Sequence, residues 1–386
     1  MAVAYYYLGI TYGSAMQYDN AIRFLEKAIA ILGTDDTILG QIHLYTASIY
    51  KIIGELLTSI GHSVSALTIL KRTIDKDDSN IAYLLCHIGD IYNEIKDYHH
   101  ALEYYGMALK IQETSANAEY FAVSGICNRI GLVYNELGNY PESIAHYQKA
   151  LEWIGEHGTK DVSISDLYNN IGTAYSNQGD KVHALEYFLK ALDVKDSISN
   201  IAVLYQNVAR EYFNQGDLQQ ALEYYHHALG EEEKVCGKDR LNLVPVYQEM
   251  ATLYSVMERY SEALEYMYKV LQIHKQALDA KDPAWAVDYE TIGGIYFSKG
   301  DFSNAVYYYY QCLQKRAEIL GPNHLDTAGS FVNYGVACFY NGNYGTALEY
   351  FQKAQRVYGD KLGPASSETQ NVQEWIKTTE HILSTK

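Results

Sequence analysis

An all-α solenoid is the fold class this sequence predicts, and three observations predict it. A pattern of small and large residues recurs nine times along the 386-residue chain. Inside each recurrence the apolar residues fall at i, i+4 and i+7, the spacing of one helical face. Proline is scarce, with five residues, while apolar residues make up 48% of the chain. A fixed repeat overrides the two or three globular domains that length alone suggests, because short hairpin units bury their apolar faces only by stacking.

The clearest copy reads Ile171-Gly172-x-x-Tyr175-x-x-x-Gly179-x-x-x-x-Ala184-x-x-x-Phe188-x-x-Ala191. Its first helix, A, carries a small residue that lets the partner helix approach. That residue is Gly9, Gly54, Gly89, Gly131, Gly172, Ala209, Ala251, Gly293 or Gly335. Three residues on stands a tyrosine knob, replaced by Leu57 and Cys338 in two units. Four further on comes the turn, often a glycine (Gly61, Gly138, Gly179, Gly216, Gly300, Gly342), for which positive φ costs little. Helix B then presents Ala21, Ala66, Ala101, Ser143, Ala184, Ala221, Ala263, Ala305 and Ala347. A large residue follows each by four: Leu25, Leu70, Tyr105, Tyr147, Phe188, Tyr225, Met267, Tyr309 and Phe351.

The helix-B small residues are spaced by 45, 35, 42, 41, 37, 42, 42 and 42. The units fall at about 2–33, 47–76, 82–112, 124–155, 165–195, 202–231, 244–275, 286–320 and 328–359, a single domain over 1–365. Residues 366–386 read as a capping helix with Val372, Trp375, Ile376 and Ile382 on one face. The first unit begins almost on its helix, without a polar cap, so preceding sequence is expected. Pro141 opens a helix B and Pro245 a helix A, where a missing N–H costs nothing.

The segments Ala101–Tyr105, Ala184–Phe188, Ala221–Tyr225 and Ala347–Phe351 read Ala-Leu-Glu-Tyr followed by Tyr or Phe. In register with the other units, they resemble the second-helix consensus of the tetratricopeptide repeat over nearly the whole chain. The period near 42, the missing proline after helix B, and the strings Leu320-Gly-Pro-Asn-His324, Thr327-Ala328 and Leu362-Gly-Pro364 resemble kinesin-light-chain-type repeats. The His-Pro pair of that subfamily appears here as His324-Leu325 and Asp282-Pro283. The resemblance implies a right-handed superhelix of about nine helix-turn-helix repeats, with A helices lining a concave groove that holds a peptide of a partner protein.

With the small residue counted as position 8, groove positions are roughly 2, 5, 6, 9, 12 and 13. Position 6 supplies Asn170, Asn207 and Asn333, where the resemblance implies amides clamping a peptide backbone. An amide offers donors and an acceptor together, although the same residues could equally satisfy neighbouring backbone. His87, Arg129, Glu249 and Thr291 occupy that place elsewhere, so the ladder is partial. The groove acids are Glu55, Asp90, Glu94, Glu136, Asp166, Glu249 and Glu290, set against Lys51, Arg129 and Arg210. They suit either a basic ligand, steered by charge, or an ordinary solvated face. The cation set that would clamp an acidic chaperone tail is missing from these positions.

Net charge is −17, which disfavours nucleic acid, whose phosphates need a basic stripe. No apolar run of 18 residues indicates a membrane span. Five cysteines (Cys86, Cys127, Cys236, Cys312, Cys338) lack CxxC spacing and read as packing residues in a reducing compartment, the cytoplasm. His99-His100 and His226-His227 lack ligand partners, and there is no nucleophile elbow or phosphate loop, so neither metal, cofactor nor catalysis is expected. The 39 tyrosines fall mostly at knob positions and their helix-B partners, with Tyr307–Tyr310 sending two rings outward. Phe297, Phe339 and Tyr340 fall at inner positions as a candidate apolar pocket. The leading function is a protein-interaction scaffold without catalysis. The alternatives are a recognition module of a larger enzyme and self-association through the ends of the stack.

Overall fold

A computed structural model of the chain describes residues 1–32, 37–73, 79–114, 120–158, 162–194, 200–235 and 240–385. Every regular element among them is a helix, and the chain divides into two compact units, residues 1–200 and 201–386. The first holds α1 (Ala2–Ser14), α2 (Tyr18–Ile31), α3 (Thr37–Ile52), α4 (Leu56–Thr73), α5 (Ser79–Glu94), α6 (Tyr98–Thr114), α7 (Tyr120–Glu136), α8 (Tyr140–His157), α9 (Ile164–Gln178) and α10 (Lys181–Asp193). The second holds α11 (Ile201–Gln215), α12 (Leu218–Val235), α13 (Leu243–Val256), α14 (Tyr260–Ala277), α15 (Ala284–Ser298), α16 (Phe302–Leu320), α17 (Leu325–Tyr340), α18 (Tyr344–Leu362) and α19 (Ser367–Thr385). Odd-numbered helices up to α17 are A helices; each packs most closely on the B helix that follows it.

Sequence dictates each hairpin through three contacts. The small residue of helix A lies under the large residue of helix B. An added Cβ would come within 2.5 Å of Tyr147 at Gly131 and 2.6 Å of Phe188 at Gly172. The knob ring stacks on the residue just before that large one. Tyr12–Phe24, Tyr50–His62, Tyr92–Tyr104, Tyr134–His146, Tyr175–Tyr187, Tyr212–Tyr224, Tyr254–Tyr266 and Tyr296–Tyr308 all meet at 5.3–5.7 Å with planes 8–23° apart. Such pairs add about 0.5–1.5 kcal/mol each beyond area burial. In the last hairpin Cys338 replaces the knob, and Tyr334 meets Tyr350 edge-on at 4.7 Å.

The third contact is the turn. The knob carbonyl accepts the N–H five residues on, as from Asp180 to Tyr175 at 2.9 Å and Asp97 to Tyr92 at 2.8 Å. That closure needs a left-handed residue between. Gly54, Gly138, Gly179, Gly216, Gly300 and Gly342 supply it with φ of 73–90°, while Met16, Lys96 and Glu258 adopt φ of 58–62° without being glycine. A side chain in this region costs about 1 kcal/mol. Lys96→Gly and Glu258→Gly should therefore each raise stability by about 1 kcal/mol, read as a shift of the urea midpoint; an unchanged midpoint would contradict the turn assignment.

The second hairpin departs from the reading of the sequence. Gly54 is its turn, Leu57 is 77% exposed, and Gly61 lies inside α4 with open space around it. The true small residues are Ala47 and Ser59, and the Ser59 hydroxyl donates to the Ala47 carbonyl at 2.7 Å, as Ser143 does to Gly131. The spacings that begin the series are then 38 and 42, in place of 45 and 35. A shift of seven residues is two helical turns, so it preserves the apolar stripe, and a glycine suits both a close approach and a turn. Glu55 accordingly leaves the groove for the turn before α4.

Burial governs the titrating groups inside the stack. Cys86 and Cys127 are buried, and desolvation pushes their thiols up to about 12 and about 11; Cys312 and Cys338 are buried and raised for the same reason. Cys236 lies outside the described residues. These four thiols should resist a disulfide reagent at pH 8 and react fully once the chain is unfolded in guanidinium; rapid reaction in the native chain would contradict their burial. His43, His62, His87 and His146 are half-buried, and desolvation lowers all four. A histidine held below its unfolded pKa contributes stability that is present above about pH 6.5 and is lost as pH falls below it. Thermal midpoints should fall between pH 7.5 and pH 5.5, and replacing the His43–His62 pair, whose Nδ1 atoms meet at 2.9 Å, by asparagines should flatten the fall.

Candidate functional site

In the first unit α7 touches both α5 and α9, so successive A helices form one continuous wall. The groove positions of α5, α7 and α9 lie on this wall, and several of them are partnered by one another. Asp90 of α5 accepts the Tyr105 hydroxyl at 2.7 Å and Arg129 Nε of α7 at 3.0 Å. Burial opposes the Arg129 charge, but Asp90, with Cys86 and Tyr105 beside it, outweighs burial and holds the guanidinium above its usual range. Burial and the same carboxylate push the Tyr105 phenol well above its ordinary range.

Asparagines bridge the next step of the wall. Asn170 of α9 donates to Asn128 Oδ1 of α7 at 3.0 Å, and Asn177 donates to Asn135 Oδ1 at 3.3 Å. Each bond uses one donor and one acceptor, leaving the Asn170 and Asn177 carbonyl oxygens and the Asn128 and Asn135 amide groups with no partner among the described residues. Glu94 and Glu136 stand exposed at the ends of α5 and α7, with no ion-pair partner among the described residues.

The second unit repeats the charge pair with its signs exchanged. Arg210 Nη2 and Nε meet Glu249 Oε1 at 2.5 and 3.2 Å, and Arg210 Nη1 reaches Asn207 Oδ1 at 3.4 Å. Beside them lies a depression of about 350 Å³ bounded by Phe213, Tyr225, Gln248 and Thr252. Glu290 is clamped by Arg316, with Nη2–Oε2 at 2.5 Å and Nη1–Oε1 at 3.3 Å, and takes Asn333 Nδ2 at 2.8 Å.

The expected acidic groove is therefore corrected in part. Asp90, Glu249 and Glu290 are neutralised by Arg129, Arg210 and Arg316. Glu94 and Glu136, both in the first unit, have no ion-pair partner among the described residues, while Asp166 stands in the first turn of α9. Asn170, Asn207 and Asn333 all sit on A helices but have different neighbours: another asparagine, an arginine and a glutamate. The partners Asn128, Asn135 and Asn177 escaped the sequence reading. Their signal was a spacing of 42 between like residues, one more than the 41-residue repeat at this step.

Phe297, Phe339 and Tyr340 pack on one another and on neighbouring rings. Phe302 stacks on Tyr340 at 5.3 Å, Tyr344 meets Phe339 at 5.2 Å and Trp375 meets Phe339 at 5.4 Å. In the tyrosine run, Tyr309 covers Gly293 and Tyr308 stacks on Tyr296, while Tyr307 and Tyr310 point outward at 57% and 37% exposure. Among the described residues no cluster of three His, Cys, Asp or Glu side chains could hold a metal, and no helix is long and apolar enough to cross a membrane.

Stacked hairpins of this geometry define a helical repeat protein. Sequence models of the tetratricopeptide repeat match residues 82–115, 125–197, 200–276 and 286–360, more than half of the chain. The chain belongs to the tetratricopeptide repeat family, whose repeats serve as protein-interaction modules. None of the curated proteins matches it. The apo form of RapI is similar in fold at 16% identity, with a TM-score of 0.52 over 72% of this chain and 98% of that one. A tetratricopeptide protein from Cytophaga hutchinsonii gives 17% identity and a TM-score of 0.49, covering 69% and 95% of the two chains. Kinesin light chain repeats from Podosopora anserina give 19% identity and a TM-score of 0.46, covering 51% and 96%.

Proposed function

We propose that this chain is a non-catalytic cytoplasmic scaffold whose A-helix wall in the first unit holds an extended segment of a partner protein. The observation that carries the reading is the pair of asparagine bridges between α7 and α9. An extended peptide presents alternating N–H and C=O groups, and each bridge leaves one acceptor and one amide group open to them. Because each side chain is already fixed by its neighbour, little rotamer freedom is lost on binding. The Asp90–Arg129 pair holds the adjoining stretch of wall in the same way. Glu94 and Glu136 then favour a segment with basic residues beside the clamped backbone. Half-buried imidazoles and buried reduced thiols suit a neutral, reducing compartment.

The test is a random peptide library panned on the full chain. Enriched peptides should be rich in Lys or Arg, bind more weakly as salt rises, and lose about ten-fold in affinity to the Asn128→Ala/Asn170→Ala variant, a loss of one to two hydrogen bonds. Equal affinity for that variant, with its thermal midpoint unchanged, would remove the asparagine bridges from the function.

A further inference from the structure

The second unit carries two further grooves built to one plan. One lies between the B helices α16 and α18, with a volume of about 410 Å³ and a floor of Leu313, Phe331 and Val357. The other lies between α12 and α14, with a volume of about 460 Å³ and a floor of Leu243, Tyr247 and Ile273. Phe331 and Tyr247 stand at the same place in their repeats, as do Val357 and Ile273. Neither groove belongs to the A-helix wall.

Cations ring both floors. Lys353 and Lys269 are equivalent, and each is held over an aromatic face, at 4.2 Å from Tyr350 and 4.5 Å from Tyr266. Each is also steadied by the glutamate one turn back, Glu349 at 2.7 Å and Glu265 at 2.9 Å. Arg356 on one rim and Arg240 on the other are exposed, with no ion-pair partner among the described residues. Against them the lining residues include a single acid, Glu233. Lys234 is likewise paired, with Glu231 at 2.7 Å, so in a chain with 47 acids and 30 basic residues each groove sets a small apolar floor beside one arginine that has no ion-pair partner among the described residues.

We infer that these B-helix grooves are a second docking surface, for an acidic segment of a partner protein that inserts aliphatic or aromatic side chains. The floor removes apolar surface from water, while Arg356 and Arg240 meet carboxylates at the rim, a complementarity that sets both encounter rate and selectivity. The chemistry is opposite in sign to that proposed for the A-helix wall, so the two surfaces are separable by experiment.

The probe is a fluorescein-labelled peptide alternating Glu with Leu and Phe, titrated by anisotropy against the full chain, alongside a counterpart with Lys in place of Glu. The acidic peptide should bind, weaken with salt, and lose about ten-fold or more in affinity to Arg240→Glu/Arg356→Glu, while Asn128→Ala/Asn170→Ala binds it as the parent chain does. Both arginines are exposed, and an unchanged thermal midpoint shows that the variant folds. The inference is overturned if the acidic peptide fails to bind at millimolar concentration, if the Lys peptide binds as well, or if the charge reversal leaves affinity unchanged. It is also overturned if sedimentation shows a dimer that the reversal splits, since the grooves would then be an interface between copies.

Discussion

Replacing Phe188 by alanine is expected to lower the unfolding free energy by about 3–5 kcal/mol, measured by urea denaturation of the full chain. The ring is 2% exposed and lies against Gly172, whose missing side chain is what admits it. Alanine removes the ring and leaves a void that rigid helices cannot close, because backbone bonds fix their spacing on both sides. The loss should not stay local, since Phe188 sits beside the Tyr175–Tyr187 stack that ties α9 to α10. The converse change, Gly172→Val, should also destabilise, by about 1–3 kcal/mol, through overpacking. A cost below about 1 kcal/mol for Phe188→Ala would mean that the small-over-large contact does not hold the hairpin.

Asp288→Ala is expected to cost about 3 kcal/mol or more, the usual consequence of breaking a buried polar pair. Asp288 is fully buried on α15, and its Oδ2 meets His274 Nδ1 of α14 at 2.6 Å. Burial raises the carboxyl, and the histidine works against that rise. Removal of the acid strands the imidazole, itself 5% exposed, without its partner. A double variant, Asp288→Leu/His274→Leu, should recover most of the loss, because apolar residues need no pairing. Failure of the double variant to recover stability would point to packing instead of the stranded polar group.

Much of the hairpin was legible in the sequence because its contacts are local. Close approach, knob and large residue repeat at fixed offsets within about 25 residues, and helical periodicity places them on one face. The second hairpin slipped because Gly54 satisfies two rules at once and a seven-residue frame shift leaves the stripe intact. The stacked rings at knob and helix-B positions were visible as tyrosines, but not as pairs, since the facing residue precedes the one that the consensus emphasises. The wall was harder to read. Asp90–Arg129 and Arg210–Glu249 join residues 39 apart, one repeat less a helical turn, an offset set by how neighbouring A helices lean. Charge counting saw acids and bases separately and so overstated the groove's net charge. Asn128 and Asn135 stand at positions 5 and 12, away from the position-6 amides that the resemblance implies, and their bridges run from one position to its neighbour on the next helix.

The claim that most depends on this geometry is that the asparagine-bridged wall between α7 and α9 is where a partner's backbone lies. A photo-crosslinking residue at Leu132, which is 41% exposed on α7, tests it most directly, with one at Tyr307 on α16 as the control. Peptides enriched on the full chain should crosslink from position 132 and not from 307, and unlabelled peptide should suppress the adduct. Adducts at 307 with none at 132 would place the ligand elsewhere and contradict the account.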